Sequence, residues 1–191
     1  EFGINVDLKG RAEEQAKTGK DMMLGAAVGF TLIYIILAWV FGSYSWPLAI
    51  LLTIPLGISG AILGHWILGL DLTMLSWFGF FGLSGIVIND AIILVTFYRE
   101  LREQGQAAKE AIVNASCQRL RAVLLTSLTT VAGLLPLLFE TSLQAQFLIP
   151  MAVSISFGLA YATVLILFVI PALLSMIEQV KERKSLVTQI E

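Results

Sequence analysis

Apolar residues in this chain come in long unbroken blocks, unlike the short alternations of a soluble core. From Met22 to Leu70 there is no Asp, Glu, Lys or Arg, a run far longer than the ~20 apolar residues that cross a bilayer. The blocks and the polar punctuation between them predict five transmembrane helices, at about residues 21–41, 47–68, 73–98, 120–139 and 147–177. Tyr34, Trp39 and Tyr44 gather near the far end of the first span, where aromatic side chains anchor at the membrane interface. Gly42-Ser43-Tyr44-Ser45 then reads as a tight turn. Pro47 opens the second span, a position where no intrahelical donor is lost. Pro55, in mid-span, is expected to kink it. The loop Gly69-Leu70-Asp71 leads to the third span, which is interrupted by Asn89-Asp90.

The polar segments carry other patterns. Phe2, Ile4, Val6 and Leu8 alternate with Gly3, Asn5, Asp7 and Lys9, the period of a half-buried strand that Gly10 would end. Arg11 to Lys20 reads as a polar helical lead-in to the membrane. A lone strand cannot stand by itself, so residues 1–20 are expected to close an extramembrane domain. The chain opens Glu1-Phe2-Gly3, without an initiator Met or a signal-peptide pattern, which suggests a piece of a longer protein. Residues 99–119 mix Arg99, Arg102, Lys109 and Arg119 with Glu100, Glu103 and Glu110. With Leu101, Ala108, Ile112 and Ala115 at helical spacing, they read as an amphipathic helix lying along the membrane interface. Residues 178–191 form a charged, frayed tail. The fold class is therefore all-α membrane protein: a bundle of about five spans, one interfacial helix and a short N-terminal strand.

Composition sharpens this reading. Apolar residues make up 57% of the chain and charged residues 14%, against roughly a quarter charged in soluble domains. The net charge of −2 gives no electrostatic footprint for nucleic acid. Lys and Arg are concentrated in residues 99–121 and in the tail, whereas the loops at 69–71 and 140–146 have none. The positive-inside rule then places the C-terminus in the cytoplasm and the N-terminus outside. Four basic residues in the leader oppose this, but folded domains translocate largely regardless of charge. Cys117, the single cysteine, forms no intrachain disulfide and reads as an incidental cytosolic thiol.

Candidate chemistry centres on Asp90. A charged group inside a span costs ~3 kcal/mol on insertion scales and commonly marks an ion or proton path. Asp90 lies ~13 Å from Arg99 along a helix rising ~1.5 Å per residue; the competing reading is a structural polar cluster of Asn89 and Asp90. On the next span Thr126 and Thr130 share a face, with Thr129 beside them, and can relay protons or join helices. Gly25/Gly29, Gly60/Gly64 and the series Gly79, Gly82, Gly85 permit close helix approach. His65 reads as a hydrogen-bonded interface histidine. Gly82-Leu83-Ser84-Gly85 is similar to the nucleophile motif of rhomboid proteases, but no histidine follows Ser84 as the base. An aspartyl intramembrane protease needs a second buried acid, and no other acid lies well inside a span. A non-catalytic membrane scaffold is the remaining alternative, which Asp90 argues against. No metal-ligand or cofactor motif is expected, with protons as the coupling ion.

The run from Gly82 through Asn89-Asp90-Ala91 to Val95, the basic segment after it, and Arg119-Leu120-Arg121-Ala122-Val123-Leu124-Leu125-Thr126-Ser127-Leu128 closely resemble the resistance-nodulation-division (RND) exporters. Arg11 to Gln15, Trp46-Pro47, Ile54 to Gly57 and the stretch from Phe157-Gly158 to Leu173 resemble the same family's C-terminal membrane half. The resemblance implies a proton/substrate antiporter of twelve spans in the bacterial inner membrane, of which these are the eighth to twelfth. Residues 1–20 would then end a periplasmic porter domain. Implied partners are the N-terminal half, two further copies in a homotrimer, a periplasmic adaptor, an outer-membrane channel and the lipid bilayer. The implied proton relay takes in Asn89, at the position of the multidrug branch's lysine, with Asp90, Thr126 and Arg119. A secondary carrier outside the RND family is the alternative transporter reading.

Overall fold

The computed structural model describes residues 6–188, which are helical almost throughout and contain no strand among the described residues. The helices are α1 (Val6–Phe41), α2 (Ser45–Leu51), α3 (Ile54–Leu68), α4 (Met74–Glu103), α5 (Ala108–Leu138) and α6 (Leu143–Thr188). Five stretches are long and apolar enough to span a membrane: Ala16–Phe41, Ser45–Leu68, Met74–Glu103, Ala108–Leu138 and Leu143–Gln179. The number of spans expected from the sequence is thus present. The chain divides into two compact units, residues 1–44 and residues 45–191.

The first unit is α1. Residues 2–5 of the expected strand lie outside the described residues, while Val6, Asp7 and Leu8 are helical and Gly10 sits inside α1. The reason is cooperativity. Once the Ala-, Glu-, Gln- and Lys-rich segment after Gly10 is helical, each added residue gains a hydrogen bond, and one internal Gly costs only ~1 kcal/mol. A strand without a partner gains nothing to compete. α1 ends at Gly42, whose φ of 58° lies in the left-handed region that glycine enters freely.

In the second unit the second span is interrupted just before Pro55. α2 stops at Leu51 and α3 restarts at Ile54, with Thr53 as its N-cap and Pro55 in its first turn. The Thr53 hydroxyl donates to the Ile50 carbonyl at 2.6 Å, which also accepts the Thr53 N–H at 3.0 Å. Pro55 acts here as a helix starter, which explains why the break falls before it. α3 and α4 end alike, in the six-residue closure that a left-handed glycine permits. Leu70 N–H donates to His65 O beyond Gly69 (φ 63°), and Gln106 N–H donates to Leu101 O beyond Gly105 (φ 89°). Thr73 and Ser76 cap the start of α4 reciprocally.

Residues 99–119 do not form a helix of their own. α4 runs on to Glu103, Gly105 stops it, and α5 passes from the polar Ala108–Arg121 stretch into the fourth span without a break. Between Ala108 and Ala132 there is no Gly or Pro, so nothing ends the helix where polarity changes. α6 likewise starts before the expected residue 147 and runs through Thr188, taking in most of the expected tail. Residues 189–191 lie outside the described residues.

α6 is the hub of this unit and packs on α3, α4 and α5. Small residues set how close the helices come. A Cβ at Gly60 would overlap Tyr161, one at Gly64 would overlap Phe157, and one at Gly158 would overlap Leu83. These contacts also fix direction. Pairing of Gly60 with Tyr161 and Gly64 with Phe157 makes α3 antiparallel to α6. Gly79 against Ser154, Leu83 against Gly158 and Tyr98 bonded to Glu178 make α4 parallel to it.

Candidate functional site

One face of α4 is a continuous buried seam: Phe80, Leu83, Val87, Asp90, Leu94, Tyr98 and Leu101, at spacings of three or four. Apolar residues at that spacing drive a helix into a bundle, and Asp90 occupies a seam position, which is why it is buried. Its exposure is 4%, and its Oδ2 has no hydrogen-bond partner. An unpaired carboxylate is costly in such a place, so the group requires either a proton or a cation. Asn89, one residue before it, is turned away from the seam and exposed.

Arg119 lies over the ring of Phe97, its guanidinium carbon 4.6 Å from the centroid, and its Nε is buried without a partner. This cation–π contact fixes the register between α4 and α5. Seven residues separate Phe97 from Asp90 and seven separate Arg119 from Thr126, so Thr126 lies at the depth of Asp90, ~10 Å from the Arg119 level. Equal depth is not contact. Thr126 is exposed and its hydroxyl donates to Ala122 O at 2.8 Å, while Thr130 donates to Thr126 O at 2.8 Å. No hydrogen bond or ion pair joins any two of Asn89, Asp90, Thr126 and Arg119.

The hydroxyl turned inward from this part of α5 is Ser127, which sequence reasoning passed over. It meets Thr163 of α6 in a buried hydrogen bond. Thr163 spends its own proton on Leu159 O at 2.7 Å, so Ser127 is the donor. The adjacent Thr126 gave no signal that the core lay one residue further round, because the rotation of α5 is set by α6. Leu124, Leu128, Val131 and Val164 wall a groove of about 200 Å³ beside this pair.

His65 is buried at the other end of the unit. Its Nδ1–H donates to Ala61 O at 2.9 Å, which leaves Nε2 to accept from the Ser76 hydroxyl at 2.9 Å. Ser76 also accepts from the Thr73 N–H at 3.1 Å. Nδ1 is thus committed within α3 and Nε2 fastens α3 onto the α4 cap, and Ser84 donates to Phe80 O at 2.7 Å. Cys117 is free and exposed. Among the described residues no cluster of three or more His, Cys, Asp or Glu side chains occurs.

Comparison with known proteins agrees over nearly the whole chain. The profile of the AcrB/AcrD/AcrF family matches residues 2–178. The toluene efflux pump membrane transporter TtgB of Pseudomonas putida (strain DOT-T1E) is 31% identical over 169 residues, covering 88% of this chain and 16% of the relative. TtgE of the same strain, also a toluene efflux pump membrane transporter, is 30% identical over 182 residues, covering 95% of this chain and 17% of the relative. The swarming motility protein SwrC of Bacillus subtilis (strain 168) is 26% identical over 182 residues, with the same 95% and 17% coverage. Among solved structures, a heavy metal efflux pump matches with a TM-score of 0.79 at 28% identity, covering 87% of this chain and 17% of the pump. The chain spans about a sixth of the length of these relatives.

Proposed function

The chain belongs to the AcrB/AcrD/AcrF family of RND efflux transporters, and on that footing we propose that it is the C-terminal membrane half of a proton/substrate antiporter, with Asp90 in the proton-coupling path. The observation that carries this reading is the seam of α4: a carboxyl at 4% exposure, with Oδ2 unpartnered, between the fully buried Val87 and Leu94. Such a group suits alternate access, because it can take a proton from one side and yield it to the other as the surrounding helices shift. Each proton crossing 100 mV supplies about 2.3 kcal/mol.

In this proposal the counter-charge comes from the N-terminal half of the transporter, since Arg119 stands two helical turns away over Phe97. Asn89 faces away from the α4 seam, on the side open to that half. Thr126 is exposed at the same depth as Asp90, so it too is available to groups from the other half. The transporter sits in the bacterial inner membrane with the C-terminal ends of α4 and α6 toward the cytoplasm. It works as a homotrimer with a periplasmic adaptor and an outer-membrane channel, and the remainder of the transporter selects the substrate.

The test is Asp90→Asn in the complete transporter. Proton-driven export should be abolished while membrane abundance and trimer assembly stay at parental levels. Export at the parental rate under an imposed proton gradient would reduce Asp90 to a structural residue.

A further inference from the structure

The α4 seam does not end at Asp90. Two positions further along it stands Tyr98, 1% exposed, whose hydroxyl donates to Glu178 Oε1 at 2.8 Å. Glu178 closes the matching seam of α6, in which Gly158, Ala162, Ile166, Ile170 and Leu174 recur every fourth residue and are all buried. Its other oxygen, Oε2, lies 4.0 Å from Arg102 Nη2. Arg102 in turn donates through Nη1 to Gln106 O at 2.7 Å in the loop that ends α4. Trp46 of α2 packs against the Tyr98 ring at 5.9 Å between centroids. Tyr98 and Arg102 of α4 therefore hold the Glu178 carboxylate of α6, and are themselves backed by Trp46 of α2 and by the loop at Gln106.

Packing alone does not need these groups. Apolar side chains would hold helix ends together without desolvating an ionisable pair. The polar groups also sit in line: Asp90 and Tyr98 share the seam, eight residues and ~12 Å apart. Only Leu94, fully buried, separates them along it.

We propose that Glu178, oriented by Tyr98 and Arg102, is the terminal proton acceptor of the path that Asp90 serves, with Leu94 as the apolar barrier between the two carboxyl groups. This rests on the reading of Asp90 given above. When the helix interface opens past Leu94 and admits water, protonated Asp90 gives its proton to the first water and the last water gives one to Glu178, so that one O–H bond breaks on Asp90 and one forms on Glu178. Glu178 then passes the proton to water or buffer on its own side, both groups return to carboxylates, and no electron is transferred. Tyr98 and Arg102 are positioning residues; Tyr98 leaves the second oxygen of Glu178 on the side facing Arg102 and the exit.

The experiment uses the complete transporter in proteoliposomes, with proton-driven export and proton-independent substrate counterflow measured side by side. Glu178→Gln keeps an acceptor for the Tyr98 hydroxyl but cannot take up a proton. Its export should fall on the order of 100-fold, the scale of losing a positioned acid–base group, with counterflow and membrane abundance unchanged. Glu178→Asp should retain most export. Glu178→Ala should be rescued by formate supplied on the C-terminal side, which a merely structural loss would not allow. Tyr98→Phe should slow export about tenfold, as expected for a hydrogen bond to a charged group. Parental export in Glu178→Gln, loss of counterflow together with export, or failure of formate to rescue would each overturn the proposal. If Asp90→Asn is inactive while Glu178→Gln is normal, this inference alone fails; if Asp90→Asn is normal, the reading beneath it fails first.

Discussion

At the scale of single residues, burial and rotation decide what a side chain can do. Thr126 and Ser127 are neighbours with similar chemistry, yet Ser127 is locked to Thr163 in the core and Thr126 is exposed, bonded only to its own helix. Thr126→Ala should therefore leave this half intact, with a stability change within about 0.5 kcal/mol, as for surface positions in general. Export by the complete transporter should weaken, but less severely than with Asp90→Asn, because a hydroxyl can be replaced in a relay by water whereas the titrating carboxyl cannot. Thermal unfolding in detergent combined with export rates checks both halves of this expectation; export abolished as fully as by Asp90→Asn would make Thr126 an equal member of the path.

At the scale of elements, glycine spacing governs the second unit, and its meaning differs from site to site. Gly158 and Gly85 both lie inside helices, but a Cβ at Gly158 meets Leu83 and the backbone oxygen of Gly57, while one at Gly85 has nothing within 4 Å. Gly158→Ala should cost ~1–3 kcal/mol through overpacking of α6 against α3 and α4. Gly85→Ala should be neutral within this half or stabilise it by up to ~1 kcal/mol, since alanine loses less freedom than glycine in a helix. Melting midpoints of the two variants measured in one detergent decide the matter, and equal losses would show that α6 has room to shift. Sequence spacing alone could not rank these sites, because the partner atoms come from helices up to about a hundred residues away.

At the scale of the whole molecule, the parallel pairing of α4 with α6 and the short links between helices put Tyr98, Arg102 and Glu178 at one end of the second unit, and Ser76 and Ser154 at the other. Combined with the basic residues of 99–121 and the tail, this end is expected in the cytoplasm. Cys117 is exposed and free, which makes it a natural reporter. In the full-length protein, single cysteines at residues 102, 117 and 184 should resist an impermeant thiol reagent applied to intact cells, while cysteines at residues 71 and 144 should react. Reaction at Cys117 from outside would invert the topology.

Much of this protein follows from the sequence by itself, because the bilayer acts on composition directly. Apolar blocks of this length have one stable fate in lipid, which fixes the number of spans and the helical class, and the ordered motifs around Asn89-Asp90 and Arg119 to Leu128 carry the family. The turn glycines Gly42 and Gly69 were legible too, since glycine readily takes their φ of 58° and 63°. The helix at residues 6–8, where the end of a strand was expected, and the unbroken α5 through the end of the separate helix expected at 99–119 show where local pattern misleads. Alternation and amphipathicity report which side chains face which way, but not whether a partner strand exists or whether a helix stops. Tertiary structure alone decided that Asp90 points into the seam and Asn89 away from it, that Ser127 rather than Thr126 is buried, and that Tyr98 meets Glu178 eighty residues on. Each of these depends on the rotation of one helix about its axis. That rotation is set by glycine contacts and cross-helix hydrogen bonds whose two halves lie far apart in the chain.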